Sequence, residues 1–205
     1  MKTTFHPFKK ISWIDSYYLQ LEAFQDAAQK QEHVFFFEHK NVITLGTSSK
    51  KEDIPNSLEI RQKKIKIFQT NRGGEATWHG EGQLVFYPVL NIKKRKIKAP
   101  ELVKRILKST QKALFRQGFS TVLDTENPGL YMNEKKVASF GMTIKKGVTL
   151  HGVSVNINNK KTGFNTIKPC GMSPEKMSTI SKEGQKKGDI ELISKEIQKA
   201  LQEDF

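Results

Sequence analysis

The sequence predicts an α+β fold, a mixed and largely antiparallel sheet flanked by helices, and three observations carry that expectation. Segments with a helical apolar period and groups of short apolar runs follow the order helix, strands, helix, strands, helix. The strands come in blocks, unlike the regular strand–helix alternation of a parallel βαβ fold. The chain has 205 residues, close to the upper end of the ~100–200 expected of one domain. No repeat, low-complexity tract or Pro/Gly/Ser linker divides it, so residues 1–205 are expected to form a single domain.

Ser16 to Glu32 places Tyr17, Leu21, Phe24 and Ala28 on one helical face, with Ser16 as its cap. Val34–Phe37 and Val42–Leu45 predict strands separated by the polar His39-Lys40-Asn41 turn. Lys64 to Thr70 alternates Lys and Ile like a half-buried strand, and Leu84 to Ile92 is a longer apolar one. Pro100 opens a second helix at a first-turn position, where its missing N–H is harmless. Leu102, Val103, Ile106, Leu107, Ala113 and Leu114 give that helix an apolar face, and Gly118 ends it. Strand-like runs follow at Ser120–Leu123, Gly129–Met132, Lys136–Ile144 and Val148–Ile157. A last helix from about Asp189 to Leu201 turns Ile190, Ile193, Ile197 and Leu201 to one side.

Lys and Arg number 35 against 21 Asp and Glu, a net charge of +14 that attracts acidic partners. The densest run, Lys93-Lys94-Arg95-Lys96-Ile97-Lys98, reads as a polyanion patch or as a solvated loop between strand and helix. Aromatics are not interleaved with the basic residues as on a base-stacking surface, so no nucleic-acid partner is expected. A single cysteine, Cys170, excludes an internal disulfide and Cys-based zinc clusters. No stretch approaches the ~20 apolar residues of a membrane span. Lys2-Thr3-Thr4-Phe5-His6 lacks the apolar segment of a secretory signal, which points to a reducing cytoplasm.

Four segments do not read as scaffold. Arg72-Gly73-Gly74-Glu75-Ala76-Thr77-Trp78-His79-Gly80-Glu81-Gly82-Gln83 follows a strand. Its glycines permit close approach of backbone to a ligand, Arg72 is a fixed cation, and His79 titrates near neutrality. Its spacing matches neither the P-loop nor the dinucleotide fingerprint. Lys135-Lys136-Val137-Ala138-Ser139-Phe140-Gly141 leads a lysine into a small, apolar strand, where lost hydration favours a neutral amine able to act as a base. Leu150-His151-Gly152-Val153-Ser154-Val155-Asn156 breaks a strand pattern at His-Gly, the mark of a bulge or a close backbone approach. Lys168-Pro169-Cys170-Gly171-Met172 sets the lone thiol in a loop beside cations, as a nucleophile or as an inert loop thiol.

Together these four segments resemble one family, the lipoyl(octanoyl) transferases. The family pattern is similar to Arg72 through Gln83, Lys136 through Gly141, His151 through Asn156, and Pro169-Cys170-Gly171, in that order. Glu38-His39 through Thr44-Leu45-Gly46 resembles the family's upstream strand pair, and the likeness runs from about Trp13 to Ile180. The departures are Lys40-Asn41 where Pro-Pro is common, Glu81 where Pro is common, and Ser154 where Ala is common. Glu81 would put a charge at the loop rim, and Ser154 would alter the pocket floor.

The resemblance implies a fold similar to the catalytic domain of biotin and lipoate protein ligases. It implies octanoyl transfer from octanoyl-acyl carrier protein to a lysine of lipoyl domains, those of 2-oxoacid dehydrogenases and the glycine cleavage H protein. Cys170 would carry the acyl thioester and Lys136 would act as base. Arg72, Gly73, Gly74, Glu75, Ala76, Thr77, Trp78, His79, Ser139, Phe140, Gly141, Gly152, Val153 and Ser154 would line the acyl pocket, with His79 and His151 as positioning residues. Neither metal nor cofactor is implied. An ATP-dependent lipoate or biotin ligase on the same fold is the chief rival, but it leaves Pro169-Cys170-Gly171 without a role. A nucleic-acid binder rests on charge alone.

Overall fold

A computed structural model describes residues 2–55, 57–160 and 163–205. Its elements in chain order begin with β1 (Lys2–Phe5), β2 (Lys9–Ile11), α1 (Trp13–Ala28), β3 (Gln31–His39) and β4 (Val42–Leu45). Next come α2 (Ser57–Gln62), β5 (Lys66–Gln69), β6 (Ala76–His79), β7 (Gln83–Val89), α3 (Ile92–Arg95) and α4 (Ala99–Arg116). The chain closes with β8 (Val122–Asp124), β9 (Gly129–Met132), β10 (Lys135–Lys145), β11 (Val148–Asn156), α5 (Ile180–Glu183) and α6 (Ile190–Asp204).

Among the described residues, eight strands form one sheet in the order β1-β3-β7-β11-β10-β9-β8, with β2 following β1 along the same edge of β3. β1 and β2 run parallel to β3, and every other pairing in this sheet is antiparallel. A second sheet, β5-β4-β6, stands beside it. The architecture is the α+β arrangement the sequence predicts.

Strand alternation builds a core on each face of the large sheet. Val34 and Phe36 of β3 pack with Leu84 and Phe86 against Leu102, Ile106 and Leu114 of α4 and Ile193 and Ile197 of α6. Phe35 and Phe37 point the other way, with Val85 and Tyr87, onto Ala23 and Ala27 of α1. α4 begins with Pro in its first turn, and Gly118 just past its end takes a left-handed φ of 79°, both as the sequence predicts. Asp189 caps α6 by accepting from the Glu191 and Leu192 amides.

The first helix departs from its expected face. Its buried residues are Trp13, Ser16, Gln20, Ala23 and Ala27, one position off the Tyr17–Leu21–Phe24–Ala28 stripe. Small and hydrogen-bonded residues let the helix lie close to the sheet. Gln20 accepts the His151 amide at 2.8 Å, and Ser16 donates to the Trp13 carbonyl at 2.6 Å. The cap is Ser12, not Ser16, and the helix ends at Ala28, leaving Glu32 inside β3. Ile67 of β5 is exposed where half-burial is expected, because β5 is the edge of the small sheet and only Ile65, just before it, turns inward.

The basic run is also more than a solvated loop. It folds into the helical turn α3, where Lys94 Nζ donates to the Ala28 carbonyl at the end of α1. Arg95 donates from Nε to both oxygens of the fully buried Glu32 at 2.9 and 3.0 Å, and from Nη2 to Thr3 Oγ1 at 2.8 Å. Arg95 thus ties β1, β3 and α3 together. Removing it strands a buried carboxylate, and breaking such a pair costs about 3 kcal/mol. Urea denaturation should show Arg95→Ala losing about that much stability while Lys96→Ala loses little; equal losses would show the tie to be idle.

Candidate active site

The site lies between the two sheets, in a cavity of about 190 Å³ that collects all four of the unusual sequence segments. Arg72 anchors the glycine-rich segment. Its buried guanidinium donates to the Thr44 carbonyl at 2.6 Å, the Glu75 carbonyl at 2.7 Å, the Gly73 carbonyl at 3.0 Å and Thr44 Oγ1 at 3.2 Å. Burial pulls the guanidinium down from its ordinary pKa, but it keeps its proton at neutral pH. Arg72 is therefore a brace within the cavity wall; most of its donors face backbone, not ligand.

Only part of the glycine-rich segment is loop. Ala76–His79 forms β6, antiparallel to β4. The alternation turns Thr77 and His79 into the cavity, while Ala76 and Trp78 face the core with Ile43 and Phe164. Ala76 and Trp78, expected at the site, are thus scaffold. Gly46 accepts the turn before β6 so closely that a Cβ there would lie 2.1 Å from the Gly74 carbonyl oxygen. Glu81 lies outside this cavity, in a groove with Lys10 and Glu38.

β10 and β11 build the opposite wall. Gly141 pairs with Gly152, and Ser139 with Ser154, across the two strands. His151 has a left-handed φ of 64°, and a Cβ on Gly152 would meet the Phe86 carbonyl oxygen at 2.1 Å. Of the two readings of the His-Gly break, the close approach describes this point; the register with β10 runs through it without a bulge.

Lys136 owes its aim to a bulge. Lys136 pairs with Tyr131 of β9 and Ala138 with the adjacent Leu130, so Val137 is an extra residue in β10. Val137 and Ala138 both enter the core beneath α4 and α6. Lys136 therefore joins Ser139 at the cavity instead of sharing a face with Ala138. Its buried amine donates to the Asn127 carbonyl at 3.3 Å and lies 5.6 Å from the Tyr131 ring centroid. Lys135 turns away, toward Glu183 at 4.0 Å. Cys170 enters the same cavity from a single 3₁₀ turn, Pro169–Gly171. Its φ of 53° is left-handed, a conformation that a residue with a Cβ adopts only under constraint, and its Sγ lies 4.0 Å from Ser139 Oγ.

Of the expected lining, Arg72, Gly73, Gly74, Glu75, Thr77, His79, Lys136, Ser139, Phe140, Gly141, Gly152, Val153, Ser154 and Cys170 border this cavity, as does His151. Sequence reasoning missed Trp13, Tyr87, Pro128 and Met172, among others. Met172 was within reach, two residues beyond the thiol. Trp13 and Tyr87 carried the period of ordinary core residues.

The chain matches the model of the lipoyl protein ligase A/B catalytic domain over residues 15–202. It belongs to that family. The octanoyltransferase of Buchnera aphidicola is 36% identical over 149 residues, which are 73% of this chain and 68% of that protein. Among solved structures, the Thermoplasma acidophilum protein Ta0514 with bound lipoic acid, described as a putative lipoate protein ligase, superposes with a TM-score of 0.74 at 13% identity. That match covers all of this chain and 86% of the other. A biotin protein ligase of Aquifex aeolicus in complex with biotin and ATP superposes with a TM-score of 0.55 at 15% identity, covering 98% of this chain and 71% of the other. These two neighbours share the fold, as the sequence predicts. The chain is an enzyme of the acyltransferase class. Among the described residues no helix is long and apolar enough to cross a membrane.

Three buried imidazoles gather at the cavity, with His79 and His151 on its border and His39 behind them. His39 donates from Nδ1 to the Ile11 carbonyl at 3.0 Å, so its Nε2 accepts the Tyr87 hydroxyl at 2.9 Å. Gln83 spends its amide protons on the Trp78 carbonyl and Asn156 Oδ1, so its Oε1 accepts from His79 Nδ1 at 2.7 Å. Burial pushes His79 down to about 3, and His39 and His151 to about 4, with Arg72 adding to the effect on His151. Burial also pushes the Tyr87 hydroxyl up, well above its ordinary value.

These shifts set a pH dependence. Unfolded imidazoles bind protons near pH 6.5, whereas the folded ones refuse them until about pH 4 or lower. The unfolded state thus holds more protons between those values, and stability should fall as pH drops through them. Melting curves should show this decline, shallower in His79→Gln. A variant decline as steep as that of the parent would contradict a neutral His79.

Proposed function

We propose that this chain, as a single catalytic domain in the cytoplasm, transfers an octanoyl group from octanoyl-acyl carrier protein to a lysine of lipoyl domains. The acceptors would be the lipoyl domains of 2-oxoacid dehydrogenases and the glycine cleavage H protein, and the transfer would be the first step of endogenous lipoate assembly. The observation that carries the reading is one cavity bordered by the lone thiol, Cys170, and a buried lysine, Lys136. The octanoyltransferase kinship supports the acyl group. At about 190 Å³ the cavity is somewhat larger than the ~150 Å³ site that holds benzene in an engineered protein core, a suitable scale for a short acyl chain.

Thioester chemistry needs a thiolate, a base and a stabilised oxyanion. The Lys136 amine takes the Cys170 proton, and the thiolate attacks the donor thioester carbonyl. The donor C–S bond breaks, and the departing pantetheine thiolate takes the proton from Lys136. In the second half the Lys136 amine takes a proton from the acceptor ammonium. The freed amine attacks, the amide C–N bond forms as the C–S bond to Cys170 breaks, and the nitrogen's surplus proton passes to the departing sulfur. The thioester brings its own activation, so no nucleotide is consumed. The net charge of +14 suits acidic carrier and lipoyl domains.

Two experiments test this reading. Intact mass after mixing with octanoyl-acyl carrier protein should show one octanoyl adduct, absent from Cys170→Ser, which should fold normally and transfer nothing. Near-parental transfer by the Ser variant would sink the covalent route, and pyrophosphate release from octanoate and ATP would favour the ligase.

The bulge supplies the second test. Lys136→Ala should lower kcat by about 100-fold or more. Lys136→Arg should not restore it, since a guanidinium holds its proton. Lys135→Ala, which loses only a half-exposed ion pair, should be close to silent. The reverse pattern would move the base to Lys135.

A further inference from the structure

Glu75 carries a negative charge to the one place where the proposed thiolate chemistry has no use for it. The peptide is fixed: its carbonyl accepts from Arg72 Nη2 at 2.7 Å and from the Gly46 amide at 3.3 Å. From there the side chain crosses to the turn that holds the thiol. A Cβ built on Gly171 would lie 2.5 Å from Glu75 Oε2 and 2.9 Å from Oε1. The carboxylate therefore rests on the residue after Cys170, at the edge of the same cavity, half-buried. Among the described residues it makes no ion pair and no side-chain hydrogen bond, in a chain with 35 lysines and arginines.

A carboxylate beside a nucleophilic thiol opposes formation of the thiolate. The acyl donor, a neutral thioester, gains nothing from it. The acceptor is different, because a lysine side chain arrives as an ammonium ion at neutral pH. We propose that Glu75 receives the ε-ammonium of the acceptor lysine and holds it against the Cys170 thioester. This assignment rests on the transferase reading and gives Glu75 a specific part in its second half.

The chemistry divides accordingly. Glu75 accepts a charge-assisted hydrogen bond from the ammonium and takes no proton. Lys136 removes one ammonium proton, the amine attacks the thioester carbonyl, the C–N bond forms, and the C–S bond to Cys170 breaks, its sulfur leaving with the second proton that the nitrogen sheds. Glu75 is thus a positioning residue, contributing to acceptor binding and alignment, while proton transfer stays with Lys136.

The test starts from purified octanoyl-enzyme and follows loss of the adduct by intact mass. For Glu75→Gln, the lipoyl-domain concentration giving half-maximal deacylation should rise about tenfold, the size of one charge-assisted hydrogen bond. Hydroxylamine, uncharged at neutral pH, should deacylate the parent and variant equally. Glu75→Ala should show the same split. Equal slowing toward hydroxylamine and lysine, or no change toward lysine, would overturn the pairing. If the parent chain forms no acyl-enzyme at all, the transferase reading fails and the pairing falls with it.

Discussion

Arg72 is the tie on which the cavity depends. Its guanidinium is buried, and its donors are satisfied by carbonyls at Thr44, Gly73 and Glu75. Those carbonyls belong to β4 and to the turn before β6, so one side chain locks the small sheet to its own turn. Gly46 makes the lock possible, because the turn presses against it too closely for a Cβ. Everything facing the thiol from that side, including Glu75, Thr77 and His79, takes its position from this bond set. A lysine could reach one carbonyl but not hold the planar fork of bonds that three require.

The layers were legible in the sequence because burial on both sides of a sheet leaves a simple signature. The Val-Phe-Phe-Phe run of β3 sends alternate residues to the two cores. The second and last helices bury most of their expected apolar stripes. The first helix was misread because hydrophobicity there does not track burial. Leu21 is exposed, while Ser16 and Gln20 are fully buried and hydrogen-bonded. The site was legible as motifs and less so as geometry. Ala76 and Trp78 sit inside a motif, but strand alternation gives them to the core.

The interior chemistry contrasts with the surface. The chain is strongly cationic, but the imidazoles at the cavity are held neutral by burial. The protons on the His39 and His79 nitrogens are assigned by the Ile11 carbonyl and the Gln83 amide oxygen, which only accept, and the Tyr87 hydroxyl turns to suit. A pocket floor of this kind presents fixed dipoles without net charge, which suits an apolar acyl chain lying above it.

The extra residue in β10 means that the buried amine of Lys136 is aimed by counting, not by contact. Lys136 and Lys135 have the same side chain and alternate across the strand; the added peptide unit between Lys136 and Ala138 decides which of them shares the face of Ser139. A regular ladder through the same residues, with none left over, would put Lys135 and not Lys136 on the face of Ser139. Such a ladder would keep every residue of the motif and present the other amine. The spacing of this motif is therefore a geometric instruction in its own right, which decides the amine that the cavity receives.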